Sequence, residues 1–333
     1  MNPTRTLSRR RLCLGLAAAG AATLAAGLAT RRAWAAPGAV TRSVDKLDFG
    51  WVDDRRQRRV PVRLYLPADA AATRRVPLVV FSHGIGGSRF GYSYLGSHWA
   101  AHGWASLHLQ HVGSDRSLWA GNPFGVVGRL RDAATDGEAI ERVQDLRFAL
   151  DQLLAGALAP RLDARRIVAA GHSYGANTTL LVAGARVQRE GRVHALRDER
   201  VRAALLLSAP PFYGDANFEP ILAGVDLPSL HVTATADDIR IPGFFSGVDD
   251  RIRVFDAIGG RPKALAVFEG GSHSIFTDRG GSGGLVLNGQ VKAATQELTL
   301  AFLQRVFDGD GLGLAQWPAR HAGILARFDA VGT

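Results

Sequence analysis

The sequence predicts an α/β fold built on one mostly parallel sheet of about eight strands with helices on both faces. Short runs rich in aliphatic residues alternate with segments of helical periodicity, as they do in βαβ units. The run PLVVFS at 77–82 is continuously apolar, as expected for a strand that is buried on both faces. The chain has 333 residues, of which 47% are hydrophobic and 21% charged, so it can bury such a core without disulfides.

The elements follow in order along the chain. Residues 44–66 predict two antiparallel edge strands around the polar turn Asp53-Asp54-Arg55. A helix is predicted over 91–103, closed by a glycine, and residues 138–156 carry apolar side chains at helical spacing. A long amphipathic helix over 292–309 is expected to be the final element. Further strands are predicted at 77–82, 104–110, 166–171, 201–209, 229–236 and 263–270.

The N-terminal segment has the pattern of an export signal. Arg9 and Arg10 stand in SRRRL, which resembles the twin-arginine motif, and residues 12–30 are uncharged and rich in Ala, Leu and Gly. Ala33-Trp34-Ala35 then fits the small-x-small rule for cleavage. The alternative is an uncleaved membrane anchor, because the apolar run could just span a bilayer.

We therefore expect a signal peptide at residues 1–35 and an α/β domain at residues 36–333. The protein is expected to be exported by the twin-arginine pathway, to be periplasmic or secreted, and to meet a membrane only transiently during export.

The positive charge of the chain is concentrated in this leader. The formal net charge is +10, but residues 1–35 hold six arginines and no acidic residue. The rest of the chain has 34 basic and 30 acidic residues, spread along its length, so we expect no nucleic-acid partner. The only cysteine, Cys13, also lies in the leader, which excludes a cysteine nucleophile or a cysteine-based metal site in the mature chain.

A candidate nucleophile stands between a predicted strand and a predicted helix. Residues 171–175, GHSYG, match the pattern G-x-S-x-G with Ser173 at its centre. Small residues on both sides let the strand meet the helix in a sharp turn that leaves the hydroxyl exposed. The alternative is a glycine-rich turn whose serine caps the following helix.

A serine hydroxyl needs an adjacent base, and an acid usually orients that base. His273 lies in FEGGSHSIF, directly after the last predicted strand. Asp237 and Asp238 follow the preceding strand, so the order along the chain is serine, acid, histidine. We favour Asp237, but spacing alone leaves Asp238 open.

Two backbone N–H groups are candidates for an oxyanion hole. One belongs to Tyr174, the residue after the candidate nucleophile, and the other to Ile85, in the glycine-rich loop 83–87 after an early strand. The same loop lacks the Lys-Ser/Thr pair of a phosphate-binding loop.

Metal and cofactor sites are not expected. His108 and His111 stand near a strand end and, together with Asp115, could be interpreted as metal ligands. Most such histidines are structural, however, and no further ligand cluster accompanies them.

The substrate region carries little information. Residues 208–226 are too few for a full cap domain, which predicts an open cleft. Candidates for an apolar acyl site, with simple loop packing as the alternative, are Pro211, Phe212, Tyr213, Trp119, Asn122 and Phe124.

The stretches PLVVFSHGIGGSRFGYSYLGSHWAAHGWASLHLQHVGSD and AAGHSYGANTTLL resemble bacterial dienelactone-hydrolase-like proteins of the α/β-hydrolase superfamily. They are also similar to plasma-type platelet-activating-factor acetylhydrolases and to bacterial cutinases or polyester hydrolases. The resemblance covers nearly all of 44–309 and implies an α/β-hydrolase fold with little or no cap domain. It implies an ester hydrolase that uses Ser173, Asp237 and His273. True dienelactone hydrolases carry cysteine at the nucleophile position, which speaks against a lactone substrate here.

The sequence thus predicts a serine carboxylic-ester hydrolase that forms an acyl-enzyme with a small-molecule or polymeric ester and needs no cofactor. An amidase or peptidase on the same triad is the first alternative, and a non-catalytic binding protein of the same fold is the second. The sequence is silent on the acyl group and on the oligomeric state.

Overall fold

The computed structural model describes residues 42–215, 217–241, 243–280 and 283–333. The predicted signal peptide and its cleavage site lie outside these residues and stay predictions. Within the described ranges, none of the helices combines the length and the hydropathy that crossing a bilayer requires.

One large sheet and two small hairpins make up the β structure of the described residues. The strands are β1 Val44–Asp53, β2 Arg58–Pro67, β3 Val76–Ser82, β4 Ala105–Leu109, β5 Leu162–His172, β6 Arg186–Arg189, β7 Arg192–Ala195, β8 Val201–Leu207, β9 Ser229–Ala236, β10 Ile239–Ile241, β11 Phe244–Ser246, β12 Lys263–Ser272 and β13 Leu325–Val331.

The large sheet has nine strands in the order β1-β2-β4-β3-β5-β8-β9-β12-β13. Its six central strands, from β4 to β12 in that order, run parallel. The outer strands β1, β2 and β13 are antiparallel to their neighbours. The predicted α/β-hydrolase architecture, a mostly parallel sheet between helices, is therefore confirmed, and each of the eight predicted strands forms.

Helices cover both faces of this sheet. They are α1 Ser93–Ala101, α2 Val126–Ala133, α3 Asp136–Ala155, α4 Tyr174–Ala183, α5 Glu219–Leu222, α6 Val248–Ala257, α7 Leu285–Asp308 and α8 Leu312–Arg320. On one face of the sheet, α3 and α4 form a hydrophobic core together with alternate residues of the strands. On the other face, α1, α7 and α8 form a second core with other residues of the strands. Every residue of β3 is buried, and Val79 and Phe81 face one core whereas Leu78 and Val80 face the other.

The expectation that a helix over 292–309 ends the fold is wrong. That helix is α7, and it is followed by α8 and by β13, which pairs antiparallel with β12. The sequence of β13 gave no signal because its residues are exposed or only half-buried, so it lacks the apolar run of a central strand. The hairpins β6–β7 and β10–β11 were missed too, since strands of four and three residues are too short to show a period.

The register of the parallel strands brings their carboxyl ends to one edge. Ser82 at the end of β3 pairs with Gly171 of β5, and Ala236 at the end of β9 pairs with Ser272 of β12. Loops that leave this edge therefore start close together, as the ligand-binding loops of open α/β sheets do.

Buried neutral histidines make this fold sensitive to acid. His231 on β9 is buried, its Nε2 lies 3.1 Å from Ser229 Oγ, and its ring meets the ring of Phe255 edge-on. Burial, assisted by the charge of Lys263, lowers the pKa of His231 from 6.5 to about 3. The unfolded chain binds a proton here below about pH 6.5 and the folded chain does not, so the free energy of unfolding falls as the pH drops from 6.5 towards 3.

We expect His231→Asn to remove one such proton from the unfolding reaction. At pH 5, the slope of the free energy of unfolding against pH should fall by about 1.4 kcal/mol per pH unit. Urea denaturation at a series of pH values between 4.5 and 7 measures this slope. An unchanged slope in a folded variant would show that His231 is not held neutral.

Candidate active site

Three of the predicted residues lie directly after the ends of parallel strands. Ser173 follows β5, Asp237 follows β9 and His273 follows β12. Because these strand ends share one edge of the sheet, the three side chains meet there.

The turn that carries Ser173 is strained and needs glycine on both sides. Ser173 has φ 56° and ψ −124°, a conformation that residues other than glycine rarely adopt. A Cβ on Gly171 would collide with the carbonyl of Gly175, and a Cβ on Gly175 would collide with the carbonyl of Ser82. Within the described chain, the Ser173 side chain makes no capping hydrogen bond to α4, so the structure does not support the helix-cap alternative.

A chain of hydrogen bonds joins the three side chains. His273 Nε2 lies 2.8 Å from Ser173 Oγ, and His273 Nδ1 lies 2.7 Å from Asp237 Oδ1. An ionised carboxylate can only accept, so Nδ1 carries the proton and Nε2 is free to accept from the serine hydroxyl. In this tautomer, His273 can act as a base towards Ser173.

The structure brings Asp237 and not Asp238 to His273. Asp237 is fully buried, and its Oδ2 accepts a hydrogen bond from Thr233 Oγ1 at 2.7 Å. Asp238 is partly exposed and forms an ion pair with Arg240 at 2.7 Å. The two neighbours therefore have different surroundings, and the Asp237 side chain is the one held against the histidine.

The charge of Asp237 is stabilised although the side chain is buried. Burial would raise the pKa of Asp237, but the hydrogen bond and charge of His273 and the charge of Arg251 outweigh it and hold that pKa well below its ordinary value. Arg251 is itself buried, with Nη2 3.5 Å from Asp237 Oδ1 and Nη1 2.8 Å from the Gly247 carbonyl. Asp237 thus remains an acceptor for His273 throughout the neutral range.

The two predicted oxyanion donors lie beside Ser173. Ile85 and Tyr174 line the same cavity as Ser173 and His273. Among the described residues, neither of their backbone N–H groups donates to a backbone carbonyl, whereas the N–H of Gly86 donates to the Ser114 carbonyl at 2.8 Å. Both amides are therefore available to a bound oxygen.

His172 supports the site from behind, a role that the sequence did not indicate. Its Nε2 donates to the carbonyl of His273 at 2.9 Å, and its Nδ1 accepts from the Tyr92 hydroxyl at 2.8 Å. Burial, together with the charge of His273, lowers the pKa of His172 to about 3, so the ring stays neutral. His172 therefore fixes the backbone of His273 without adding a second charge.

A cavity of about 700 Å³ opens in front of Ser173. Four of the six candidates for an apolar acyl site line this cavity: Pro211, Phe212, Tyr213 and Trp119. The other two, Asn122 and Phe124, do not. The Phe124 side chain is 95% exposed instead.

The two hairpins that the sequence did not reveal frame this cavity. Tyr213 donates or accepts a hydrogen bond with Ser246 of β11 at 2.8 Å, and its ring meets the ring of Phe244 edge-on. Arg189 of β6 donates to the Tyr213 carbonyl at 2.9 Å. In its described residues, the segment after β8 is thus held by contacts with short hairpins.

The histidines that could suggest a metal have other partners. His108 contacts Ser106 Oγ, and His111 lies 3.0 Å from a carboxylate oxygen of Asp145. Asp115 accepts from the side chain of Gln110 at 2.6 Å. Across the described ranges, no three side chains of His, Cys, Asp or Glu form a group that could hold a metal ion.

Several supporting residues had no signal in the sequence. Thr233, Arg251, His172 and Tyr92 act through contacts between segments that are distant in the chain. Thr233 is the one exception with a local signal. It precedes Asp237 by four residues, so both lie near the end of the same strand, β9.

Comparison with known families supports the resemblance. The family model described as platelet-activating factor acetylhydrolase, isoform II, matches residues 54–121. This segment includes β3, β4 and the loop that carries Ile85, but it ends before Ser173. No curated protein matches the chain. The family match confirms the likeness to this group of α/β-hydrolases and supports an ester hydrolase in general.

We expect the tight turn to tolerate no side chain at Gly175. Gly175→Ala should lower the free energy of unfolding by at least about 1–3 kcal/mol, because the added methyl group meets the backbone of Ser82. Gly289→Ala is the control: Gly289 lies in the exposed interior of α7 with open space around it, so alanine there should stabilise the protein by about 0.5–1 kcal/mol. Denaturant unfolding measures both, and equal effects would contradict the close packing.

Asp237 and Asp238 form a natural matched pair. Asp237→Asn should lower kcat for ester hydrolysis by about 10³–10⁴-fold, because the amide favours the wrong tautomer of His273. Asp238→Asn should change kcat by less than about tenfold, since its partner is Arg240 at the surface. Steady-state kinetics on both variants decide this, and the reverse order of effects would assign the acid to Asp238.

Proposed function

We propose that this chain, an α/β-hydrolase fold that matches the platelet-activating factor acetylhydrolase family over residues 54–121, is a serine carboxylic-ester hydrolase. The observation that carries the proposal is the hydrogen-bonded chain from Asp237 through His273 to Ser173, of which the histidine and the serine line the cavity. The substrate is a small-molecule or polymeric ester.

In the first step, His273 Nε2 takes the proton of the Ser173 hydroxyl while Oγ attacks the ester carbonyl. The negative charge moves to the carbonyl oxygen, where the N–H groups of Ile85 and Tyr174 receive it. Asp237 keeps the histidine in the required tautomer and stabilises the imidazolium ion.

In the second step, the C–O bond to the alcohol breaks, and His273 returns its proton to the leaving oxygen. The acyl group is then bound to Ser173 as an ester. A water molecule gives its proton to His273 and attacks this acyl-enzyme, which releases the acid and restores the serine hydroxyl.

The walls of the cavity support an ester with an apolar part. Pro211, Phe212 and Trp119 offer apolar surface in front of Ser173. In its described residues, the connection between β8 and β9 contains a single helix of four residues, α5, which supports an open cleft.

The serine nucleophile is testable by covalent labelling. A fluorophosphonate probe should label the wild-type protein at one site, and p-nitrophenyl butyrate should give a burst of p-nitrophenol. Ser173→Ala should lose the label and lower kcat by at least about 10⁴-fold. Ser117→Ala, which changes an exposed serine of the short helical turn at 116–119, should behave as the wild type.

Two outcomes would overturn the proposal. Full esterase activity in Ser173→Ala would remove the nucleophile, and a well-folded wild-type protein that neither takes the probe nor hydrolyses esters would indicate a binding protein. The p-nitroanilide of the same acyl group separates the amidase alternative, which requires the anilide to be cleaved at a rate comparable to the ester.

A further inference from the structure

Arg142 on α3 is an arginine with unusual surroundings. Its side chain is fully buried, and among the described residues no carboxylate lies within ion-pair distance of the guanidinium. Burial lowers the pKa of Arg142 to about 10, which leaves it charged at neutral pH. Burying a charge costs free energy unless its hydrogen bonds are satisfied. The hydrogen-bond partners of the guanidinium therefore indicate the role of Arg142.

One set of partners belongs to the loop that carries Ile85. Arg142 Nη2 donates to the carbonyl of His83, two residues before Ile85. Nη1 donates to Ser114 Oγ at 2.7 Å, and the backbone carbonyl of Ser114 in turn accepts from the N–H of Gly86 at 2.8 Å. The guanidinium therefore holds the backbone on both sides of the Ile85 amide.

The other set belongs to the turn that carries Tyr174. The guanidinium lies over the Tyr174 ring, 4.5 Å from its centroid. Arg142 Nε donates to Thr178 Oγ1 at 2.9 Å, and this hydroxyl donates to the Tyr174 carbonyl at 3.2 Å. The Tyr174 hydroxyl is anchored separately, on the Thr135 carbonyl at 3.2 Å.

We propose that Arg142 is a positioning residue for the oxyanion hole: it sets the separation of the Ile85 and Tyr174 amides by binding both segments with one planar fork. This inference rests on the proposed function, because an oxyanion hole has a role only if Ser173 forms a tetrahedral intermediate. Ile85 and Tyr174 belong to segments almost ninety residues apart that are joined by no covalent link near the site. The guanidinium bridges them from the buried side, and the front remains open for substrate.

Contact with both segments requires the planar geometry of the guanidinium as well as its charge. An arginine presents donors in a fixed plane, whereas a lysine has one compact ammonium group and cannot reach three separate acceptors while it covers an aromatic ring. Lysine at this position would keep the charge but release at least one of the two segments.

The test compares Arg142→Lys and Arg142→Met with the wild type on p-nitrophenyl butyrate. Both variants should lower kcat by about 10²-fold with KM within about threefold, because the amides contact the oxygen mainly after it becomes an anion. The affinity for phenylboronic acid, which forms a tetrahedral adduct with an active serine, should fall by a similar factor. The inflection of the kcat/KM pH profile should not move, since the hydrogen bonds of His273 are untouched.

Arg147→Met is the matched control. Arg147 lies on the same helix and also ties a loop through backbone carbonyls, those of Leu196 and Arg197, each at 2.9 Å, but it does not touch the site. It should lower the thermal midpoint without changing kcat. Thermal unfolding of every variant separates loss of fold from loss of positioning. If Arg142→Met does not fold, Arg142→Lys, which keeps the buried charge, still provides the test.

The outcomes separate this inference from the function on which it rests. A wild type without activity that depends on Ser173 removes the proposed function itself. An active wild type with a folded Arg142→Lys that keeps kcat within threefold overturns the positioning role alone. A loss of kcat in Arg147→Met equal to that in the Arg142 variants would mean that Arg142 acts only through general stability. A shifted pH inflection would mean that Arg142 acts on the charge of the base and not on the separation of the two amides, and this too would overturn the positioning role.

Discussion

The close contact between the Gly175 backbone and the carbonyl of Ser82 is the constraint on which the site depends. It lets α4 begin directly beside the end of β3, so the turn after β5 must be sharp and Ser173 must adopt a positive φ. Strain of this kind persists only where the surrounding structure determines it. Here β3 and the last six residues of β5 are buried, and the parallel register holds the ends of the two strands level.

The polar groups behind the site are buried, and hydrogen bonds to other described residues hold most of them in place. His172 stays neutral between Tyr92 and the His273 backbone, whereas Asp237 stays charged among Thr233, Arg251 and His273. Burial is the main reason that the pKa of His172 is low, so this ring stays neutral, whereas hydrogen bonding and charge outweigh burial at Asp237 and keep its carboxylate ionised. A network of this kind holds the side chains in one arrangement, because each unpaired member would carry a full desolvation cost.

Local pattern predicted the central elements well and the peripheral ones poorly. Strands such as β3 can be predicted from the sequence, because burial on both faces requires a continuous run of apolar residues. Neither β13 nor the hairpins at β6–β7 and β10–β11 had such a run, since they are short or exposed and are held by their neighbours. Ser173 and His273 could be nominated because each directly follows a strand, and the two donor amides because they belong to loops of the same edge.

The sequence by itself determined which strands form the centre of the sheet and which residues stand at their ends, because apolar period and glycine spacing are local properties. It favoured Asp237 but left Asp238 open, since spacing alone does not separate adjacent residues. Only the tertiary structure separated them, by burying one against His273 and turning the other towards Arg240. It alone also brought His172, Arg251 and Arg142 to the site. Their contacts join segments far apart in the chain, and no local pattern records such contacts.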